Sequence, residues 1–134
     1  MARGTVYVVD DEEDNLVYLT AVITEGGYPV EAVSDPAAAL DKMRTLPPHL
    51  VFLDIQMPGM NGFQALKAIR EMEGLADVPV VFLSAIGAVT GEEYDPAKIQ
   101  ERYGVRPDAF ISKPIEPSAV VAQLERFLGP ESTG

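Results

Sequence analysis

The sequence predicts a doubly wound α/β fold, five parallel strands in one sheet with helices on both faces, and two observations lead there. Short apolar runs alternate with amphipathic stretches along the whole chain, the written form of repeated β-α units. Its 134 residues, 47 % of them hydrophobic, suit one core and one domain. A single (βα)5 unit over residues 1–134, with its core at about 4–129, is therefore expected.

Taken in order, the elements have local reasons. Thr5 to Val9 reads as the first strand. Residues 13 to 25 place Leu16, Leu19 and Ile23 on one helical face, and Gly26-Gly27 suits the end of that helix. Val30 to Val33 is the second strand. Asp35-Pro36 then opens a helix with a capping acid and a proline in the first turn, and Leu46-Pro47-Pro48 closes it. Leu50 to Leu53 is the third strand, after which Asn61 caps a helix whose Phe63, Leu66 and Ile69 share a face. Val78 to Leu83 is the fourth strand. A short fourth helix follows from Asp95-Pro96, with Ile99 and Tyr103 one turn apart before Gly104. Ala109 to Ile111 is the fifth strand, and Pro117 opens the last helix, striped by Val120, Val121, Leu124, Phe127 and Leu128 and ended by Gly129-Pro130.

Composition excludes several classes of function. The net charge of −11 opposes binding to nucleic-acid phosphates or to anionic membrane. No apolar run reaches the length that spans a bilayer, and the start MARGTVYVVD lacks the features of a signal peptide, so a cytoplasmic location is expected. With no cysteine there are no disulfides, thiolate metal sites or cysteine nucleophiles. His49, the only histidine, sits in a loop before a strand and reads as a surface residue.

The acids are less ordinary. In VFLDIQMPGMNG, residues 51–62, an apolar strand runs straight into Asp54, and burying a carboxylate there costs several kcal/mol unless something pairs with it. Ligands of open α/β sheets bind beyond the C-terminal strand ends. Asp10 and Asp11 follow the first strand, Asp54 ends the third, Ser84 ends the fourth and Lys113 follows the fifth, so all of them share one edge. Singly, each has a plain explanation: helix-start acids, a cap, a surface lysine. Their joint placement does not.

Three neighbouring carboxylates repel unless one takes a proton or a cation joins them. All-oxygen ligation without Cys or His favours Mg²⁺, or Mn²⁺, over Zn²⁺. A hard cation with open positions suits phosphate, with Lys113 and the Ser84 hydroxyl on phosphoryl oxygens and Asp54 left as the nucleophile.

In order and spacing, VVDDEE, VFLDIQMPGMNG, VVFLSA and FISKPI resemble the receiver domain of two-component response regulators, the CheY-like superfamily with its flavodoxin-like fold, over nearly the whole chain. The resemblance implies that Asp54 is the phosphoacceptor, that Asp10, Asp11, Asp54 and the backbone carbonyl of Gln56 hold Mg²⁺, and that Lys113 binds phosphate. It implies a switch in which Ser84 moves toward the phosphoryl group and Phe110 turns inward. The face made by the fourth predicted helix, the fifth strand and the last helix then changes for a partner. Phe110 stands where tyrosine is commoner, so any bond through that hydroxyl is absent here. Gln56 and Ile86 occupy the positions that tune phosphoryl lifetime, and apolar Ile86 is expected to hinder water and prolong it.

The implied partners are a histidine kinase or histidine phosphotransfer protein and a downstream protein target, with the chain a monomer or a phosphorylation-dependent dimer. The chain would be no enzyme in the usual sense, although it assists its own phosphorylation and dephosphorylation. From Ser84 to Lys113 the spacing exceeds the family norm by roughly two helical turns, with the excess in IGAVTGEEYDP. This is either a tolerated loop insertion or a partner contact from Thr90 to Tyr94. Two other classes compete: an aspartate-nucleophile phosphatase, which wants a second acid where Gln56 stands, and a phosphorylation-independent pseudo-receiver, which tends to lose acids or lysine that this sequence keeps. No output domain is expected in this sequence after the last helix, at GPESTG, and both a free-standing regulator and a receiver excised from a hybrid kinase or larger regulator fit it.

Overall fold

The computed structural model describes residues 5–55, 62–84, 104, 107–112 and 115–129. Its strands are β1 (Val6–Val9), β2 (Val30–Val33), β3 (Leu50–Asp54), β4 (Val80–Ser84) and β5 (Ala109–Ser112). The described helices are α1 (Glu13–Glu25), α2 (Pro36–Met43), α3 (Gly62–Glu71) and α4 (Pro117–Leu128). The helix expected over 95–104 falls outside the described residues. All pairings are parallel, and the order is β2-β1-β3-β4-β5.

That order decides the layers. The chain leaves β1 toward one edge, returns past it to β3 and then continues toward the other edge. Right-handed crossovers in opposite directions must lie on opposite faces, so α1 and α2 are separated by the sheet. Two cores follow. On one face Tyr7, Val51, Leu53 and Phe82 meet α2 and α3 through Met43, Phe63, Leu66 and Ile69. On the other, Val8, Phe52, Val81 and Ile111 meet α1 and α4 through Leu19, Ile23, Val120 and Leu124. The central strands are apolar on both faces because both faces are covered, and each large side chain so buried contributes about 1.5–3 kcal/mol.

Element ends follow local chemistry. Asp35 caps α2, its Oδ2 accepting from Ala38 N at 3.0 Å, with Pro36 at the first helical position. The helix stops at Met43, before the Leu46-Pro47-Pro48 stretch expected to close it, and Leu46 N bonds back to Lys42 O at 2.9 Å. After α1 the left-handed residue is Gly27, at φ 91°, a conformation that costs a residue with Cβ more than it costs glycine. The fourth strand starts at Val80 and not at Val78. Pro79 has no N–H for the ladder, although its carbonyl accepts from Val51 N at 3.0 Å. At the same end Asp108 Oδ2 accepts from both Val80 N and Arg70 Nη2 at 2.9 Å, while Arg70 Nη1 reaches Val78 O, so α3, β4 and β5 are tied together. His49 is exposed as expected, yet its Nδ1 accepts from Thr5 N at 3.0 Å and helps to fix the start of β1.

Tyr7 supplies a pH-dependent term. Its hydroxyl donates to Leu46 O at 2.5 Å, and burial, with the Glu31 charge adding to it, pushes its pKa above the ordinary tyrosine value. A raised folded pKa means that this contribution is whole below the unfolded value of about 10 and is lost as pH climbs through the folded one. Tyr7→Phe is expected to lower stability at pH 7 by about 1 kcal/mol and to flatten the fall above pH 10, measured by urea unfolding. An alkaline slope equal to the wild type's would contradict this.

Candidate functional site

Strands β1 and β3 are neighbours, but their following segments leave in opposite directions. A crevice at the C-terminal strand ends results, and it is where ligands of doubly wound sheets bind. Asp10 follows β1 directly and Asp54 is the last residue of β3, so neighbouring strands bring both residues to one sheet edge. Asp10 is fully buried, Asp54 is 3 % exposed and Asp11 is open to solvent. One oxygen from each lies within 4.8 Å of the others.

A buried carboxylate needs donors, and Asp10 has them from the start of α1. Its Oδ1 accepts from Glu12 N at 2.9 Å and its Oδ2 from Asn15 Nδ2 at 3.1 Å. The same Asn15 nitrogen donates to Glu12 Oε1 at 2.8 Å. Around Asp54 the backbone is fixed on both sides: Ile55 N bonds to Leu83 O at 3.1 Å, and Gly62 N bonds to Ile55 O at 2.8 Å. Gly62 opens α3 directly against that strand end. A Cβ there would stand 2.7 Å from Ile55 Cα and 2.9 Å from Asp54 O.

The donor set fits a hard divalent cation. Three carboxylates converge, two of them buried, and such crowding of negative charge is stable with an oxygen-seeking ion among them. Zinc would want nitrogen or sulfur ligands, and none of the converging groups offers either.

The other expected site residues divide. Ser84 ends β4 on the same sheet edge, paired in register with Ser112. Phe110 lies on β5 and packs edge-on against Phe82, centroids 5.7 Å apart; Phe82 in turn packs on Phe63 at 5.3 Å. Gln56, Ile86 and Lys113, with the 85–95 segment, fall outside the described residues. Sequence reading passed over Asn15 and Gly62. A glycine in a helix's first turn and an amide five residues after a strand-end acid were the available signals, and neither means much before the crossover is built.

The five-stranded doubly wound sheet thus carries an acidic cluster at its switch point, where such folds bind ligands, and sequence relationships name the class. Residues 6–125 match the response regulator receiver domain family, and the chain belongs to that family. It is 32 % identical over 123 residues to response regulator RR06 of Streptococcus pneumoniae serotype 2, a match covering 92 % of this chain and 52 % of that protein. Over 130 residues it is 32 % identical to the DNA-binding response regulator MtrA of Mycobacterium tuberculosis, covering 94 % and 51 %. The chain thus spans about half the length of the curated relatives it matches. Among solved structures, chemotaxis response regulator CheY4 of Vibrio cholerae has a TM-score of 0.79 at 29 % identity, covering 96 % of this chain and 99 % of that one. No helix among the described residues is long and apolar enough to cross a membrane.

Proposed function

We propose that this receiver takes a phosphoryl group from a phosphohistidine on a kinase or phosphotransfer partner onto Asp54. The observation that carries the reading is the convergence of Asp10, Asp11 and Asp54, with Asp54 nearly buried at a strand end. In the transfer the P–N bond to the donor imidazole breaks as a P–O bond to an Asp54 carboxylate oxygen forms, and the imidazole nitrogen then takes up a proton. Asp10, Asp11, Asp54 and the Gln56 carbonyl would hold Mg²⁺, or Mn²⁺. When bound, the ion supplies neutralising charge between an anionic donor and an anionic acceptor. Lys113 and the Ser84 hydroxyl serve the phosphoryl oxygens, and the strand ends hold Asp54 in line for attack.

Output rests on a shift between two populated states, one favoured by the acyl phosphate. Phe110 packs edge-on against Phe82, and in this reading it is the side chain that turns when the equilibrium shifts. Ser84 and Phe110 are the switch residues of this proposal, Gln56 and Ile86 tune the lifetime, and residues 1–134 form one receiver whose downstream protein target reads the changed face. A net charge of −11 supports a protein partner over direct nucleic-acid contact, and a cytoplasmic kinase circuit is the setting.

Intact mass after incubation with acetyl phosphate tests this. Wild type with Mg²⁺ should gain one phosphoryl group, while Asp54→Asn, or wild type with excess chelator, should gain none. After donor removal the label should decay faster in Ile86→Ala than in wild type. A folded wild type that stays unmodified sinks the acceptor chemistry and favours a phosphorylation-independent module.

A further inference from the structure

We infer that Asn15 is a positioning residue for the divalent cation, a role that rests on the acceptor reading above. Asp10 is fully buried and held at two points, by the Glu12 backbone N–H on Oδ1 and by the Asn15 amide on Oδ2. The last torsion of aspartate is broad, and a bond to each carboxylate oxygen restricts the plane in which the group can sit.

The amide also suits the charge. A lysine or arginine here would compete with the cation for Asp10, whereas an amide donates hydrogen bonds and brings no charge of its own. Asn15 divides its two N–H groups between two carboxylates, Asp10 Oδ2 at 3.1 Å and Glu12 Oε1 at 2.8 Å. Glu12 is thereby kept beside the cluster without being a member of it. Asn15 lies in the first turn of α1 and is half-buried, so its side chain starts from a rigid, sheltered base.

Titration calorimetry of Mg²⁺ into the full chain tests this without any phosphoryl chemistry. Asn15→Leu removes the donor and Asn15→Ser replaces it with a hydroxyl too short to reach Asp10, neither changing the charge, and each should weaken Mg²⁺ binding about 10- to 100-fold while the cation-free unfolding temperature holds within a few degrees. Asn15→Gln keeps the amide on one more methylene and should bind more tightly than Asn15→Ser. Glu12→Gln, which leaves the backbone N–H and the Asn15 contact to Asp10 in place, should stay within about threefold of wild type, below the roughly 10- to 100-fold loss of removing a ligand's hydrogen-bond partner. Wild-type affinity in folded Asn15→Leu or Asn15→Ser overturns the positioning role and leaves the acceptor reading standing. Absence of Mg²⁺ binding by the wild type, with no phosphoryl gain from acetyl phosphate, overturns both.

Discussion

Gly62→Ala is expected to slow phosphorylation of Asp54 by about 100-fold while leaving a folded protein, a loss typical of a reacting group misplaced by about 1 Å. The cause is steric and local. The added methyl would stand 2.7 Å from Ile55 Cα and 2.9 Å from Asp54 O, and both of those atoms are backbone. No flexible side chain is there to yield, so either α3 retreats or the end of β3 shifts and carries Asp54 with it. Overpacking of this kind costs about 1–3 kcal/mol, and the better helix propensity of alanine returns at most about 1. Acyl-phosphate formation from acetyl phosphate, followed by mass, reads the rate, and urea unfolding reads the stability. Wild-type rate and stability together would show that the two segments can separate without disturbing the acceptor.

The largest stability loss is expected for Phe82→Ala, about 3–5 kcal/mol, a large part of the whole for a domain of this size. Phe82 is fully buried in the middle of β4 and makes edge-on contacts with two other rings, Phe63 of α3 at 5.3 Å and 85°, and Phe110 of β5 at 5.7 Å and 76°. Each such pair contributes about 0.5–1.5 kcal/mol beyond burial. The three rings join α3 to β4 and β5. A urea midpoint that falls at an unchanged m-value would fit a cavity of this kind. A Phe63→Leu, Phe82→Leu double-mutant cycle should show coupling between the rings, and strict additivity would remove the pairwise part of the account.

Much of this protein was legible along the chain, for reasons that are local or topological. Strand and helix positions follow from apolar periodicity, and α1 runs over residues 13–25 as its spacing and the Gly26-Gly27 pair require. Among the described residues the differences are at element ends; β3 and β5, for example, each run one residue longer, because Asp54 pairs with Leu83 and Ser112 with Ser84. The convergence of Asp10, Asp11 and Asp54 was also legible, since the crossover rule puts the ends of β1 and β3 side by side whatever the loops do.

The sequence by itself determined the alternation of elements, the two-sided burial of the central strands and the edge at which the acids meet. Tertiary structure alone decided what holds those acids in place. The Arg70–Asp108 tie spans 38 positions and exists only once α3 and β5 share one end of the sheet. The need for glycine at 62 comes from how closely α3 approaches the Asp54–Ile55 backbone, and the Asn15–Asp10 bond from α1 starting beside the end of β1. Periodicity encodes which face of an element is buried. It carries no record of the few ångströms by which one backbone passes another, and those distances decide how each carboxylate is held.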